Sequence, residues 1–214
     1  MMLRTETNRG WTEAIIDDDC GYETFYKAAA IVQNELGFPF IQQLDDFDTL
    51  YYSFDYKASR LFLFYNVYEG VTVFPCAFKE ATPQDNTHVR EIAQLLFHKL
   101  INLDWKPYSN GSTLGEKGSE GGTVLADFES SKGARITLEK DCGTVPFAVT
   151  LGIYGLMFHT HFESHREAAA EFIETTKFRI NKLLELYDVP EGKRDDYWEK
   201  KHERQLNVLA GMEE

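Results

Sequence analysis

The chain has 214 residues, of which 43% are hydrophobic and 27% are charged, an ordinary composition for a globular protein. Its 22 Lys and Arg residues against 35 Asp and Glu residues give a formal net charge of −13 at pH 7. This balance argues against general binding to nucleic acid, which needs clustered cations, and against docking on anionic lipid. The N-terminal residues lack the apolar core of a signal peptide, and no apolar stretch approaches a bilayer span. We therefore expect neither a nucleic acid nor a membrane partner.

The cysteine pattern predicts a reducing environment. Cys20, Cys76 and Cys142 are widely spaced and odd in number, so they fit neither a disulfide framework nor a CxxC metal site. Cys142 follows Asp141, whose carboxylate would raise rather than lower the pKa of a neighbouring thiol. We therefore expect structural cysteines and a cytoplasmic location.

The first half of the chain begins with a predicted helix over residues 22–36. Its apolar side chains recur at helical spacing, and Gly37 and Pro39 end it. The hydrophobic period then changes to two, which is typical of β-strands, before a second helical pattern begins. The predicted strands lie at 49–56, 60–67 and 71–78, and the second helix lies at 83–102.

Residues 107–122 interrupt these patterns. The segment carries five glycines from Gly111 to Gly122 and almost no apolar side chains, which is typical of a flexible connection. We therefore predict a boundary here. The predicted organisation is an N-terminal half at 1–106, a flexible linker at 107–122, a second half at 123–190 and a charged C-terminal helix or tail at 191–214.

The second half resumes with short alternating strands and a long helix. Ser164 and Glu167 have the spacing of a capping box, which predicts a helix from Ser164 to about residue 187. In the strand just before it, Phe158 and Phe162 are expected to face the core. The predicted strands lie at 123–129, 135–139, 146–153 and 156–162.

These elements predict the α+β class, with antiparallel β-meander sheets covered by helices on one side. Both halves place a meander, a tyrosine-containing turn, a strand ending in Phe and a capped helix in the same order. Aligning Tyr68 with Tyr154 superimposes apolar positions of the flanking strands. This pattern favours a tandem duplication, an internal repeat. The alternative is that any two hairpins with a period of two can be aligned in this way.

The sharpest candidate for chemistry is a histidine cluster at residues 159–165. His159 and His161 are two residues apart on a predicted strand, so their imidazoles share one face, and imidazole is a common zinc ligand. His165 is close enough in sequence to complete a site, with Glu163 as the general base. The alternative is a solvent-facing pair, because the strand's phenylalanines are expected on the core face.

Acidic residues cluster in two places. One cluster is Asp17–Asp19, and the other comprises Asp45, Asp46 and Asp48. Neither has the DxDxDG spacing of a calcium loop, so solvated loops are the simplest interpretation. The functional alternative is an acidic patch that attracts a basic partner and speeds association.

Aromatic residues are dense between Tyr51 and Phe78. Phe62 and Phe64 lie on the opposite face of their strand from its core residues, as Tyr51 does on the neighbouring strand. If no helix covers that face, it is an exposed apolar patch of the kind that marks interfaces. The alternative is that the tail helix or the second half covers it.

Three functional hypotheses follow. The preferred one is a non-enzymatic cytoplasmic protein-binding module of the adaptor, chaperone or immunity type, without a cofactor. In it, Tyr51, Phe62 and Phe64 anchor the partner, and the acidic loops favour a basic protein. The second is a metal-dependent hydrolase, in which the three histidines hold zinc. The third is a homodimer that pairs its aromatic patches by two-fold symmetry.

Overall fold

The computed structural model describes residues 3–8 and 10–211. The chain forms two compact units, Met1–Leu100 and Ile101–Glu214. The two units contain antiparallel sheets of six and five strands respectively, together with four α-helices among the described residues. This architecture confirms the predicted α+β class. The tandem duplication stays a prediction.

The first unit is built on a six-stranded antiparallel sheet and two α-helices. The strands are β1 (Arg4–Asn8), β2 (Trp11–Asp17), β3 (Phe40–Asp45), β4 (Thr49–Tyr56), β5 (Ser59–Asn66) and β6 (Gly70–Pro75), and the helices are α1 (Tyr22–Ala30) and α2 (Pro83–Asn102). The strand order in the sheet is β1-β2-β6-β5-β4-β3. Helix α1 continues into a π-helical turn at Ile31–Glu35.

The core of the first unit lies between one face of this sheet and both helices. Alternate residues of the strands meet the apolar stripes of the helices, as the period-two and helical patterns require. The bounds of β4 and α2 agree with the predicted 49–56 and 83–102. Fully buried members from sheet and helices include Phe25, Phe54, Leu61, Leu63, Ile92 and Leu96.

The second unit is built on a five-stranded antiparallel sheet and two α-helices. The strands are β7 (Trp105–Pro107), β8 (Thr123–Ser130), β9 (Ala134–Cys142), β10 (Val145–Ile153) and β11 (Met157–Glu163), and the helices are α3 (Arg166–Glu185) and α4 (Asp196–Leu209). The strand order in the sheet is β11-β10-β9-β8-β7. The core again lies between one sheet face and the helices, and includes Leu151, Ile173 and Leu209.

The glycine-rich segment 107–122 is a folded part of the second unit, which differs from the flexible linker expected from its composition. Its backbone is hydrogen bonded, with Gly118 N to Gly122 O at 2.9 Å and Val124 N to Glu116 O at 3.0 Å. Two buried carboxylates of the sheet, Asp127 and Glu139, accept further hydrogen bonds from this segment. The chain instead divides between Leu100 and Ile101.

The predicted orientation of strand β11 is wrong. His161 pairs with Val149 and His159 pairs with Leu151, and both partners are fully buried on the helix-facing side. Cross-strand partners share a face, so the histidines face the helices. Phe158 lies on the opposite face and is 71% exposed. The register with β10 therefore overrides the hydrophobicity of the strand itself.

The predicted capping box is also not formed. Helix α3 begins at Arg166, its N-cap is His165, and no side chain caps it. Ser164 therefore lies one residue before the N-cap, so the capping geometry with Glu167 is lost. The C-terminal helix α4 does have a side-chain cap, because Asp195 accepts a hydrogen bond of 2.9 Å from Trp198 N.

Candidate functional site

The topology of the first sheet brings both acidic clusters to one end of it. Strand β2 ends at Asp17, which pairs with Val71 near the start of β6. Strand β3 ends at Asp45, which pairs with Leu50 near the start of β4. Strands β2, β6, β5, β4 and β3 are neighbours in this order. The loops at this end of the sheet therefore lie side by side over ~19 Å, which is four interstrand spacings. We call the residues Asp17–Asp19, Asp45–Asp48 and Val67–Glu69 the acidic end.

A glycine ties the loops of the acidic end together. Gly70 has a φ of +68° and begins β6, and a Cβ added there would overlap the backbone oxygen of Asp17. Only glycine accommodates both the left-handed backbone and this close approach. The loop after β2 and the turn before β6 are therefore packed backbone against backbone.

The β3–β4 turn holds its carboxylates with local hydrogen bonds. Asp46 N donates to Thr49 O at 2.9 Å, and the Asp46 carboxylate accepts from Phe47 N at 2.7 Å. Asp45 accepts a hydrogen bond of 2.9 Å from the hydroxyl of Tyr26 on α1. This hydrogen bond is the main cause that raises the pKa of Tyr26. The turn is thus ordered by its own side chains.

The acidic end combines exposed apolar side chains with several carboxylates. The side chains of Phe47 and Tyr68 are almost completely exposed, and Val67 is more than half exposed. Five carboxylates of the acidic end form no ion pair with a Lys or Arg of the described ranges 3–8 and 10–211, namely Asp18, Asp45, Asp46, Asp48 and Glu69.

The predicted partner-binding aromatics lie in an aromatic cluster on the sheet face opposite the helices. Phe64 is only 5% exposed, whereas Tyr51 and Phe62 are half-buried. Their ring contacts include Tyr51 to Phe64 at 4.6 Å between centroids. The cluster also contains Trp11, Phe74 and Phe78. Trp11 is not among the aromatics predicted from the sequence, because strand β2 was not predicted.

The three histidines do not converge. His161 stacks on Phe172 of α3 with 4.0 Å between ring centroids, and its Nε2 lies 2.9 Å from Glu163 Oε1. His165 is exposed at the N-terminus of α3. Among the described residues, no group of three or more His, Cys, Asp or Glu side chains is placed to hold a metal ion.

A buried Ser-His-Asp contact in the first unit is structural in form. The Ser59 hydroxyl lies 2.7 Å from His88 Nδ1 and also donates a hydrogen bond to the Asp85 carboxylate. This hydrogen bond is the main cause that lowers the pKa of Asp85. The hydroxyl is central here, whereas a catalytic triad places the imidazole between the hydroxyl and the carboxylate. Ser59 and His88 are both buried, so this contact fixes β5 to α2.

The cavities in the described part of the second unit include a larger and a smaller one. The larger, of about 710 Å³, is a groove between residues 113–119 and the β10–β11 hairpin. Its guanidinium, from Arg135, is already bound to Asp127 and stacked on Tyr108. The smaller cavity, of about 310 Å³, lies between β11, α3 and the end of α4. Its lining residues are His159, His161, Phe172, Arg179, Val208, Leu209 and Gly211.

Comparison of the chain with known protein families, with curated proteins and with solved structures finds no match. Within the described residues, no helix has both the length and the apolar character required to cross a bilayer.

Proposed function

We propose that the first unit is a non-enzymatic protein-binding module that uses its acidic end to bind a basic protein. The observation that carries this proposal is the set of exposed apolar side chains at Phe47, Val67 and Tyr68. They adjoin in sequence Asp46, Asp48 and Glu69, which form no ion pair with a Lys or Arg that the structure describes. Large apolar side chains provide binding energy when a partner buries them, and the surrounding charge sets the partner's sign and the association rate.

The aromatic cluster has a supporting role in this proposal. Phe64 is buried and packs within the cluster, while the half-buried Tyr51 and Phe62 add partly exposed apolar surface on this sheet face. Leu44 pairs with Tyr51 and is exposed, so apolar side chains continue along the β3 edge. A homodimer through the acidic end is disfavoured, because it would bring like charges together.

The proposed location is the cytoplasm. No disulfide bond joins the three cysteines in the part of the chain that the structure describes, which is consistent with a reducing compartment.

The experiment is quantitative capture of proteins from a cell lysate at low and high salt. The test variants are Phe47→Ser with Tyr68→Ser, and separately Asp46→Asn with Asp48→Asn. All four side chains are on loops, so we expect each variant to stay folded. Tyr197→Ser, an exposed aromatic of the second unit, is the matched control.

The proposal predicts that the native chain captures basic proteins from the lysate, and that the Tyr197→Ser control captures them equally well. The aromatic variant should lose at least tenfold, and the carboxamide variant should lose binding mainly at low salt. Equal capture by all variants, or captured proteins without a basic bias, would contradict it. Sizing chromatography of the native chain tests the homodimer separately.

A further inference from the structure

The smaller cavity of the second unit is lined by an arginine, Arg179. Arg179 lies on α3 and is half-buried, yet it forms no hydrogen bond or ion pair with any residue that the structure describes. Burial lowers the pKa of its guanidinium. An arginine stays charged in proteins, so the partial desolvation of this guanidinium favours an anion beside it.

The walls of this cavity show what kind of molecule fits. Phe172 and Arg179 are seven residues apart on α3, so they share one helix face about 10 Å apart along the axis. Phe172 and the stacked His161 form an aromatic wall, and Val208 and Leu209 of α4 form an aliphatic one.

The second polar group of the cavity is an imidazole. His159 lies on the same face of β11 as His161 and has no hydrogen bond to a side chain that the structure describes. Its ring can therefore donate to a bound oxygen, whereas His161 is engaged with Glu163 at 2.9 Å.

We propose that this cavity binds a small organic carboxylate, with its carboxylate paired to Arg179 and hydrogen bonded by His159, and its apolar body against Phe172 and Leu209. A guanidinium matches a carboxylate through two parallel hydrogen bonds. Among the described lining residues, Arg179 is the one Lys or Arg, in a chain of net charge −13, so a monoanion suits the site better than a doubly charged phosphate. A volume of about 310 Å³ is sufficient for a ligand of few heavy atoms.

The test uses benzoate as the probe, with benzamide as its neutral counterpart and inorganic phosphate as the competing anion. Binding is measured by NMR titration of the labelled chain, which gives the affinity and locates the perturbed residues. We expect benzoate to bind at least tenfold more tightly than either comparison compound. The shifts should centre on His159, His161, Phe172 and Leu209.

Variants separate a ligand site from a structural arginine. Arg179→Gln should weaken benzoate binding at least tenfold, Arg179→Lys should retain part of it, and Arg166→Gln, an exposed arginine of the same helix, should not change it. Because Arg179 makes no ion pair with a residue in the ranges 3–8 and 10–211, Arg179→Gln should melt no lower than the native chain. Equal binding of benzamide, tighter binding of phosphate, shifts outside the cavity, or a loss of folding in Arg179→Gln would overturn the proposal.

Discussion

Replacing Glu139 with Ala should release the glycine-rich segment from the second sheet. Glu139 lies on β9 and is completely buried, and its carboxylate accepts hydrogen bonds from the loop that crosses it. The donors are Ser119 Oγ at 3.2 Å, Glu120 N at 3.1 Å and Gly122 N at 3.1 Å. The glycine at 118 matters as well, because a Cβ there would overlap the carboxylate.

The expected cost follows from the groups left without a partner. A buried donor that loses its acceptor costs about 1–3 kcal/mol, and two of the three donors are backbone amides that cannot turn to solvent without moving the loop. Removing a buried carboxylate returns part of this cost, because the desolvation of the charge is relieved. We therefore expect Glu139→Ala to lower the free energy of unfolding of the second unit by about 3 kcal/mol, which is the net of these two opposing effects.

Hydrogen exchange detected by NMR measures both parts of this prediction. The amides of Glu120 and Gly122 should exchange about a hundredfold faster, since each 1.4 kcal/mol is tenfold. Glu116→Ala, an exposed acid of the same segment, should change stability by less than about 0.5 kcal/mol. The reasoning is refuted if both variants behave alike, or if the two amides keep their protection in Glu139→Ala.

Three further changes test other parts of the structure. Asp195→Ala removes the acceptor of Trp198 N and should cost about 1 kcal/mol of stability, measured by urea unfolding; no change would contradict the cap. Arg135→Met leaves the buried Asp127 carboxylate without its bidentate partner and should cost about 3–5 kcal/mol, whereas a neutral result would show that the ion pair is dispensable. Burial raises the pKa of the Cys76 thiol from 9.0 to about 11, so at pH 8 iodoacetamide should alkylate it far more slowly in the folded chain than in urea. The unfolded chain releases that proton first, so the free energy of unfolding should fall as the pH rises from 9.0 towards about 11, and Cys76→Ala should show a smaller fall.

Local pattern was sufficient wherever one periodicity ran through a whole element. The period of two over Thr49–Tyr56 and the helical stripe over Pro83–Asn102 predicted both elements with their observed bounds. Strands β2 and β3 were missed. Strand β2 is buried on both faces except at Glu13 and Ile15, and β3 is an exposed edge strand with little alternation, so neither shows a clear half-buried pattern.

The candidate sites depended on partners far away in the chain. Composition predicted a mobile 107–122 segment, but Glu139 and Asp127, which hold it, come from strands that follow it. The polar and apolar faces of β11 were assigned from its own residues, whereas the register with β10 sets them. Arg179 carried no sequence signal, since a single arginine on a helix is ordinarily solvated.

The sequence alone determined the α+β class, most of the helices and strands, and the acidic character of the chain, because these depend on near neighbours and on composition. The tertiary structure alone brought Asp17–Asp19 and Asp45–Asp48 to one sheet end, turned His159 and His161 towards the helices, and placed Arg179 in the lining of a cavity. Strand order and register bring together residues that are distant in sequence, and local periodicity does not specify which strands are neighbours in the sheet.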